Sequence, residues 1–422
     1  MKNFTLFILL FCSLSLFAQD IEIPTVKKGV IFTPEIMGGV TAEPNSNFPE
    51  HDFHKQFMIG LGWEHDTNSQ EWARRLKGPR TGIAFGLADF GNRDSLGYAI
   101  VAMPFIEFNA FGRKNLKLLV GMGGSYFTKK YDALKNPNNL AVTTDLTWSF
   151  RVIMHYKILS GPRLDWRLGG GFFHHSNGHT KLLNQGYNSF LVSLSADIKP
   201  SSEENKMETP SLSPLSNSVY SFLSIRTGYG INVLGEAGDF NDKKDVYTIS
   251  GVYGRVYNNT YKLGIGLYYR YYQHYYDYIV NNESLVQDGR EFEHFKENPR
   301  WNASNIGISL NGEVLLNHFG IDLQIGVNIH KPAYQFDWRI NQGWKNTPRD
   351  IPLTWMLGEF DSSYKKKNRI ASRLGLKYYI IGTRSQPKNN LFIGANLNAN
   401  LGQADFSEVC IGYVHSFNFK QK

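Results

Sequence analysis

Cysteine is almost missing from this sequence: of 422 residues only Cys12 and Cys410 carry a thiol. Cys12 lies in the apolar run Phe4 to Phe17, which follows Met1-Lys2-Asn3 and ends on Ala18-Gln19-Asp20. That is the pattern of a secretory signal peptide cut after Ala18, and Cys12 lacks the small residue before it that a lipoprotein cleavage site wants. An exported chain left with Cys410 alone has no internal disulfide framework. Long apolar runs are scarce as well. Past the signal no stretch of 18 apolar residues occurs, so no membrane-spanning helix is expected, a test to which β-barrels are blind. Blocks of five or more like charges in a row are absent too. The net charge of +8 is scattered along the chain, which suits a solvated surface and gives no reason to expect a nucleic-acid partner.

What the chain does have is alternation. Thr144, Leu146, Trp148, Phe150, Val152, Met154 and Tyr156 form one face of a strand whose other face holds Asp145, Thr147, Ser149, Arg151 and His155. Far downstream, Phe319, Ile321, Leu323, Ile325, Val327 and Ile329 oppose Asp322, Gln324 and Asn328. Strands are expected at 30–40, 55–64, 80–89, 97–109, 115–127, 141–156, 162–175 and 187–198, with a short helix at Ser69 to Leu76. The linker 199–217, carrying Pro200, Pro210 and Pro214, separates them from a second set at 218–234, 246–257, 260–275, 302–315, 318–330, 369–381, 389–399 and 407–419. Segments of ten residues or more match a tilted crossing of a bilayer. Tyr268 to Tyr276 is dense in tyrosine, as an interfacial aromatic girdle would be, and Gly412 to Phe419 resembles the terminal assembly signal of bacterial outer-membrane proteins. The expected fold is therefore an all-β transmembrane antiparallel barrel of about sixteen strands in two eight-strand repeats, 19–198 and 218–422. A single terminal signal favours one wide barrel, although the linker permits two.

The chemistry concentrates in Gly171-Phe172-Phe173-His174-His175-Ser176-Asn177-Gly178-His179-Thr180 and the following Asn184-Gln185-Gly186-Tyr187-Asn188. In a strand, His174 and Ser176 lean to one side with Leu164, Trp166, Leu168 and Phe172, while His175 leans to the other. After the turn Asn188 heads the apolar row Phe190, Val192 and Leu194, so an antiparallel pair brings His174, Ser176 and Asn188 together. A serine hydroxyl needs a base to become a nucleophile, and an imidazole needs a third group to hold its tautomer. Ser176 is the candidate nucleophile, His174 the base and Asn188 the orienting group. Backbone N–H groups at Asn177 and Gly178 are candidates for oxyanion binding. No metal or other cofactor is expected: His174 and His175 point apart, and no cysteine or carboxylate joins them.

His174-x-Ser176-Asn177-Gly178 followed by Asn184-x-Gly186 resembles the signature of the outer-membrane lipid A 3-O-deacylases (PagL type), whose homologues are often labelled acyloxyacyl hydrolases. The resemblance covers about residues 30–198. It implies an eight-stranded barrel in the bacterial outer membrane, displaying a His/Ser pair on its outer wall near the outer leaflet and hydrolysing the 3-O-linked hydroxyacyl chain of lipid A in lipopolysaccharide. It places the nucleophile on Ser176, the base on His174, Asn177 near the oxyanion hole and Asn184 in the supporting loop. The acidic member of the family falls on Asn188, a departure, since a carboxamide orients an imidazole without stabilising its charged form. Phe172 and Lys181 are candidate substrate contacts, the latter for lipid A phosphates; Lys129, Lys130 and Lys135 form a further cluster. The implied partners are lipopolysaccharide, the membrane and the outer-membrane assembly machinery. In the second repeat Leu397-Asn398-Ala399-Asn400 stands where the first has His174 to Asn177, so only the first is expected to be catalytic. Two rivals stand beside this reading: an outer-membrane phospholipase, and a non-enzymatic pore with a wide lumen lined by Asp145, Arg151, Asp322 and Gln324.

Overall fold

A computed structural model describes residues 29–45, 47–110, 115–200, 215, 217–235, 242–341 and 364–420. The segment read as a signal peptide and most of the linker lie outside the described residues. In chain order the first strands are β1 (Ile31–Ala42), β2 (His54–Glu64), β3 (Arg80–Asp89), β4 (Tyr98–Asn109), β5 (Leu116–Phe127), β6 (Leu146–Ser160), β7 (Leu164–Ser176) and β8 (Tyr187–Ile198). A short helix α1 (Glu71–Arg75) sits between β2 and β3. The second set is β9 (Val219–Asn232), β10 (Lys244–Tyr257), β11 (Tyr261–Tyr272), β12 (Ser304–Leu316), β13 (Phe319–His330), β14 (Ile370–Tyr379), β15 (Asn389–Asn400) and β16 (Gln403–Lys420).

These strands form two closed antiparallel barrels of eight, and the expectation of one wide barrel is corrected here. The reason is pairing at the seams. β8 returns to β1 over the register Phe32↔Ile198 to Ala42↔Asn188, and β16 closes on β9, so neither set keeps a free edge with which to join the other. Eight strands enclose an interior just wide enough to be filled by side chains. In the first barrel, Glu107 meets Arg80 and Arg167 at 2.9 Å each, while Glu35 pairs with Arg151 and lies 2.8 Å from His155. A layer including Met58, Met103 and Phe173 follows, and stacked Phe90, Phe127 and Tyr187 close the end.

The second barrel is filled in the same way: Arg226 pairs with Glu408 at 2.7 Å, and Asp322 with Arg373 and Lys377 at 2.8 Å each. Arg226, Asp322, Arg373 and Lys377 border a cavity of about 20 Å³, room for roughly one water molecule. The wide lumen expected of a pore is thus not formed by the lining residues named for it. Arg151 and Asp322 are locked in ion pairs, and Asp145 lies outside the wall with its side chain 52% exposed, paired with Lys130. The outer surfaces carry the opposite chemistry. Ile36, Val192, Ile265 and Leu310 stand out among rows of exposed apolar side chains on both barrels.

The tyrosine run 268–276 is not a simple girdle. β11 ends at Tyr272 and the chain turns into helix α2 (Gln273–Val280), which carries Tyr275 and Tyr278 into a core with Phe292, Phe295 and Phe336. Tyr268 and Tyr272 face inward and only their neighbours Tyr269 and Tyr271 face out. The expected start of β6 at 141 shifts to Leu146 for a similar reason: Ala141 and Val142 are fully buried against Phe90 and Tyr187 instead of extending the wall.

The barrels stand side by side with like ends together. At one end Asn259 Nδ2 reaches Glu71 Oε2 at 3.3 Å. At the other, Trp148 Nε1 donates to Ser407 Oγ at 2.9 Å and His179 Nε2 lies 3.1 Å from the Val233 carbonyl.

Candidate active site

Register does the assembling. β7 pairs with β8 so that His174 stands opposite Asn188, and with β6 so that Ser176 stands opposite Trp148. Cross-strand neighbours of this kind are about 5 Å apart, which brings the candidate base and the candidate orienting group within bonding reach although 13 residues separate them in the chain. Alternation settles the face. Asp165, Arg167, Phe173 and His175 are buried inside the barrel, whereas Leu164, Trp166 and Leu168 are exposed outside. His174 and Ser176 continue that outer row.

Nδ1 of His174 lies 2.8 Å from Asn188 Oδ1. Because a carboxamide oxygen only accepts, Nδ1 carries the proton, and Nε2 is left with a free lone pair, the tautomer a general base needs. A carbon placed on Gly186, whose φ is +75°, would meet His174 Cε1 at 3.0 Å and Ser176 Cβ at 3.6 Å. Imidazole and hydroxymethyl group therefore share one small space under the Gly186 turn. No hydrogen bond joins Ser176 Oγ to His174 here; such contacts commonly close only with substrate in place. Ser176 is 5% exposed and Asn188 4%. Below the imidazole, Phe172 stacks at 6.3 Å between ring centroids, and Phe190 lies 5.6 Å further on. The result is a polar trio at the head of an apolar, outward-facing aromatic strip.

The loop 177–186 is braced mainly through its asparagines. The Asn177 N–H donates to Asn184 Oδ1 at 2.8 Å, and the Asn177 side chain donates to Thr143 Oγ1 and to the Lys181 carbonyl at 3.1 and 2.6 Å. That corrects one expectation: the Asn177 amide is engaged within the loop and is not free to bind an oxyanion. Gly178 differs. Its N–H has no acceptor among the described residues, and the same peptide's carbonyl, that of Asn177, accepts from Thr180 Oγ1 at 3.1 Å. In a trans peptide the two groups point opposite ways, so the Gly178 N–H is turned out of the loop. Lys181 is exposed beside it. Burial pushes the imidazole of His179, next in the loop, below its ordinary range.

His175 faces inward, bonded to Ser125 and Ser149 and surrounded by Phe90, Phe127 and Phe173. Adjacent histidines on opposite faces cannot share a ligand, and among the described residues no group of three His, Cys, Asp or Glu is placed to hold a metal ion. Three neighbours of the site are not readable as such from the sequence. Trp148 was assigned to the outer face, but only register sets it beside Ser176. Ser407 and Leu397 come from the second barrel, and no local signal announces them.

Residues 57–197 match a family model described as lipid A 3-O-deacylase (PagL), and residues 241–342 match one described as acyloxyacyl hydrolase, C-terminal domain. Among solved structures, the outer membrane enzyme PagL aligns at 17% identity with a TM-score of 0.27, covering 39% of this chain and 97% of the other. Pseudomonas putida OprB aligns at 10% identity with a TM-score of 0.21, covering 93% and 94%. A Rhodopseudomonas blastica porin variant aligns at 9% identity with a TM-score of 0.18, covering 92% and 99%. No curated protein sequence matches the chain.

Proposed function

Because the chain belongs to the lipid A 3-O-deacylase (PagL) family, we propose that it is an outer-membrane serine esterase that removes a 3-O-linked hydroxyacyl chain from lipid A of lipopolysaccharide. The observation that carries this reading is the His174–Asn188 contact of 2.8 Å on the outer wall, with Ser176 on the same face. A hydrolase site inside the barrel would face the packed interior; this one lies on the outer wall, at the head of the exposed row Leu164, Trp166 and Leu168.

The surroundings are hydrocarbon. Apolar side chains cover the outside of both barrels, well beyond the few hundred Å² that soluble monomers leave contiguous, while charges fill the inside. With the start of β1 and the end of β8 on the periplasmic side, the loop 177–186 lies at the outer leaflet, where lipid A resides. The terminal strand from Gly412 to Phe419 is the segment offered to the assembly machinery.

In the reaction, Ser176 Oγ attacks the ester carbonyl carbon as Nε2 of His174 takes its proton. The negative charge moves to the carbonyl oxygen, which the Gly178 N–H binds. Collapse of the tetrahedral species breaks the bond to the sugar 3-oxygen, which leaves with the proton from His174, and the acyl group stays on Ser176. Water, deprotonated by the same imidazole, then attacks the acyl-serine and releases the hydroxy fatty acid. Phe172 and Phe190 line the path of the acyl chain, and Lys181 meets a phosphate of lipid A. Asn177 and Asn184 hold the loop.

Mass spectrometry of lipid A from cells with and without the protein tests the reading. Loss of one hydroxyacyl chain, abolished by Ser176→Ala in a protein that still inserts and shows heat-modifiable gel migration, is the expected result. Unchanged lipid A with newly formed lysophospholipid assigns the enzyme to glycerophospholipids instead.

A further inference from the structure

We propose that the second barrel is a positioning element for the esterase site of the first, acting through Ser407, whose hydroxyl holds both Gly178 and Trp148. The inference rests on the esterase reading above. Ser407 Oγ donates to the Gly178 carbonyl at 3.3 Å and accepts from Trp148 Nε1 at 2.9 Å. One hydroxyl thus ties together the residue that follows Ser176 by two positions and the residue that faces Ser176 across β6 and β7.

The contact is close as well as polar. A carbon added to Gly178, which has a φ of +65°, would fall 2.4 Å from Ser407 Oγ, 2.9 Å from Trp148 Cδ1 and 3.0 Å from Leu397 Cδ1. The backbone of the catalytic loop is therefore pressed directly on the wall of the second barrel. His179 follows with a φ of +64°, an unfavourable conformation for a residue with a side chain. Its ring is anchored 3.1 Å from the Val233 carbonyl, again in the second barrel. Two successive left-handed residues are thus each held by a hydrogen bond from outside their own barrel.

What the first barrel supplies is the other half of the clamp. Asn177, Asn184 and Thr180 fix the loop from within, and they set the plane of the peptide that carries the Gly178 N–H. Ser407 sets the next peptide plane by capturing its carbonyl. With both planes fixed, the direction of the oxyanion donor is fixed before substrate arrives, and preorganisation of such a donor is a large part of its effect. Leu397, which the sequence aligns with the catalytic stretch of the first repeat, packs against the loop that the first repeat uses.

The experiment uses the full-length protein in detergent–lipid A micelles, with Ser407→Ala and Ser407→Thr, and heat-modifiable migration shows that the variants keep closed barrels. For Ser407→Ala, kcat falls on the order of 10- to 100-fold while KM stays within about twofold. Hydrogen exchange of the segment 177–186 becomes about tenfold faster or more. Ser407→Thr, which keeps the hydroxyl, restores both. Wild-type kcat in Ser407→Ala overturns the proposal, and so does wild-type exchange of the loop. If the wild-type protein releases no fatty acid, the esterase reading fails on its own, and the exchange comparison still decides whether the second barrel holds the loop.

Discussion

His174 Nδ1 and Asn188 Oδ1 meet at 2.8 Å across the β7–β8 pair, the proposed base and its proposed orienting group, with no carboxylate in the contact. The carboxamide fixes the tautomer but adds no charge to favour the imidazolium that forms during reaction. Two substitutions separate these effects. Asn188→Ala frees the ring to rotate, and fatty acid release is expected to fall about 100-fold. Asn188→Asp keeps an acceptor at the same place and adds the charge, so release rises about tenfold. Initial rates on lipid A micelles read both. Equal rates for Asn188→Ala and wild type remove Asn188 from the mechanism.

Gly186 turns at a φ of +75° and leaves 3.0 Å between an added carbon and His174 Cε1, with the His175 carbonyl at 2.9 Å. Gly186→Ala therefore strains the turn by about 1–2 kcal/mol and pushes on the imidazole. The backbone carbonyl yields less readily than the ring, so the ring moves. Activity drops on the order of 10- to 100-fold with the barrel intact by circular dichroism. Unaltered activity in this variant places the imidazole elsewhere in the working enzyme.

Strands and faces were legible because their signal is local. Trp166, Leu168 and Phe172 alternate with Asp165, Arg167 and Phe173 in a period that needs no knowledge of the partner strand. The His174, Ser176 and Asn188 cluster was legible for the same reason, since one hairpin contains all three. The number of barrels was not. It depends on whether Ile198 finds Phe32 or a strand of the second set, a pairing between residues distant in sequence that alternation does not encode. The engagement of the Asn177 amide by Asn184 also escaped, because a loop has no period from which to read orientation. Ser407 was out of reach for both reasons at once: it lies in another barrel and acts on a loop.

His274, at the start of α2 beyond the end of β11, is 4% exposed with no hydrogen-bond partner at either ring nitrogen among the described residues. Burial, with His179 adding a like charge and with Asp405 partly opposing both, pushes its pKa from the ordinary 6.5 down to about 3. The folded protein then holds this ring neutral. Below the ordinary value the unfolded chain takes up a proton that the folded chain refuses until about pH 3, so stability falls as the medium is acidified across that window. The unfolding midpoint in detergent is expected to decline between about pH 6.5 and about pH 4, and His274→Phe flattens that decline. A decline of equal size in His274→Phe assigns it to other groups.

Glu107 is fully enclosed in the first barrel, with Arg80 and Arg167 each 2.9 Å away and Lys117 at 3.8 Å. None of its contacts reaches the outer wall where Ser176 sits. Replacing it by leucine leaves two guanidinium groups facing each other in the barrel interior, with Asp197, 2.7 Å from Arg80 and 3.2 Å from Arg167, as their remaining directly paired carboxylate. Breaking a buried pair in this way costs about 3–5 kcal/mol. The temperature at which gel migration shifts to the unfolded position is therefore expected to fall sharply in Glu107→Leu, while the rate per folded molecule at low temperature stays at the wild-type value. Loss of rate without loss of thermal stability means that the interior charge acts on the outer face through the wall, contrary to the separation of the two surfaces described here.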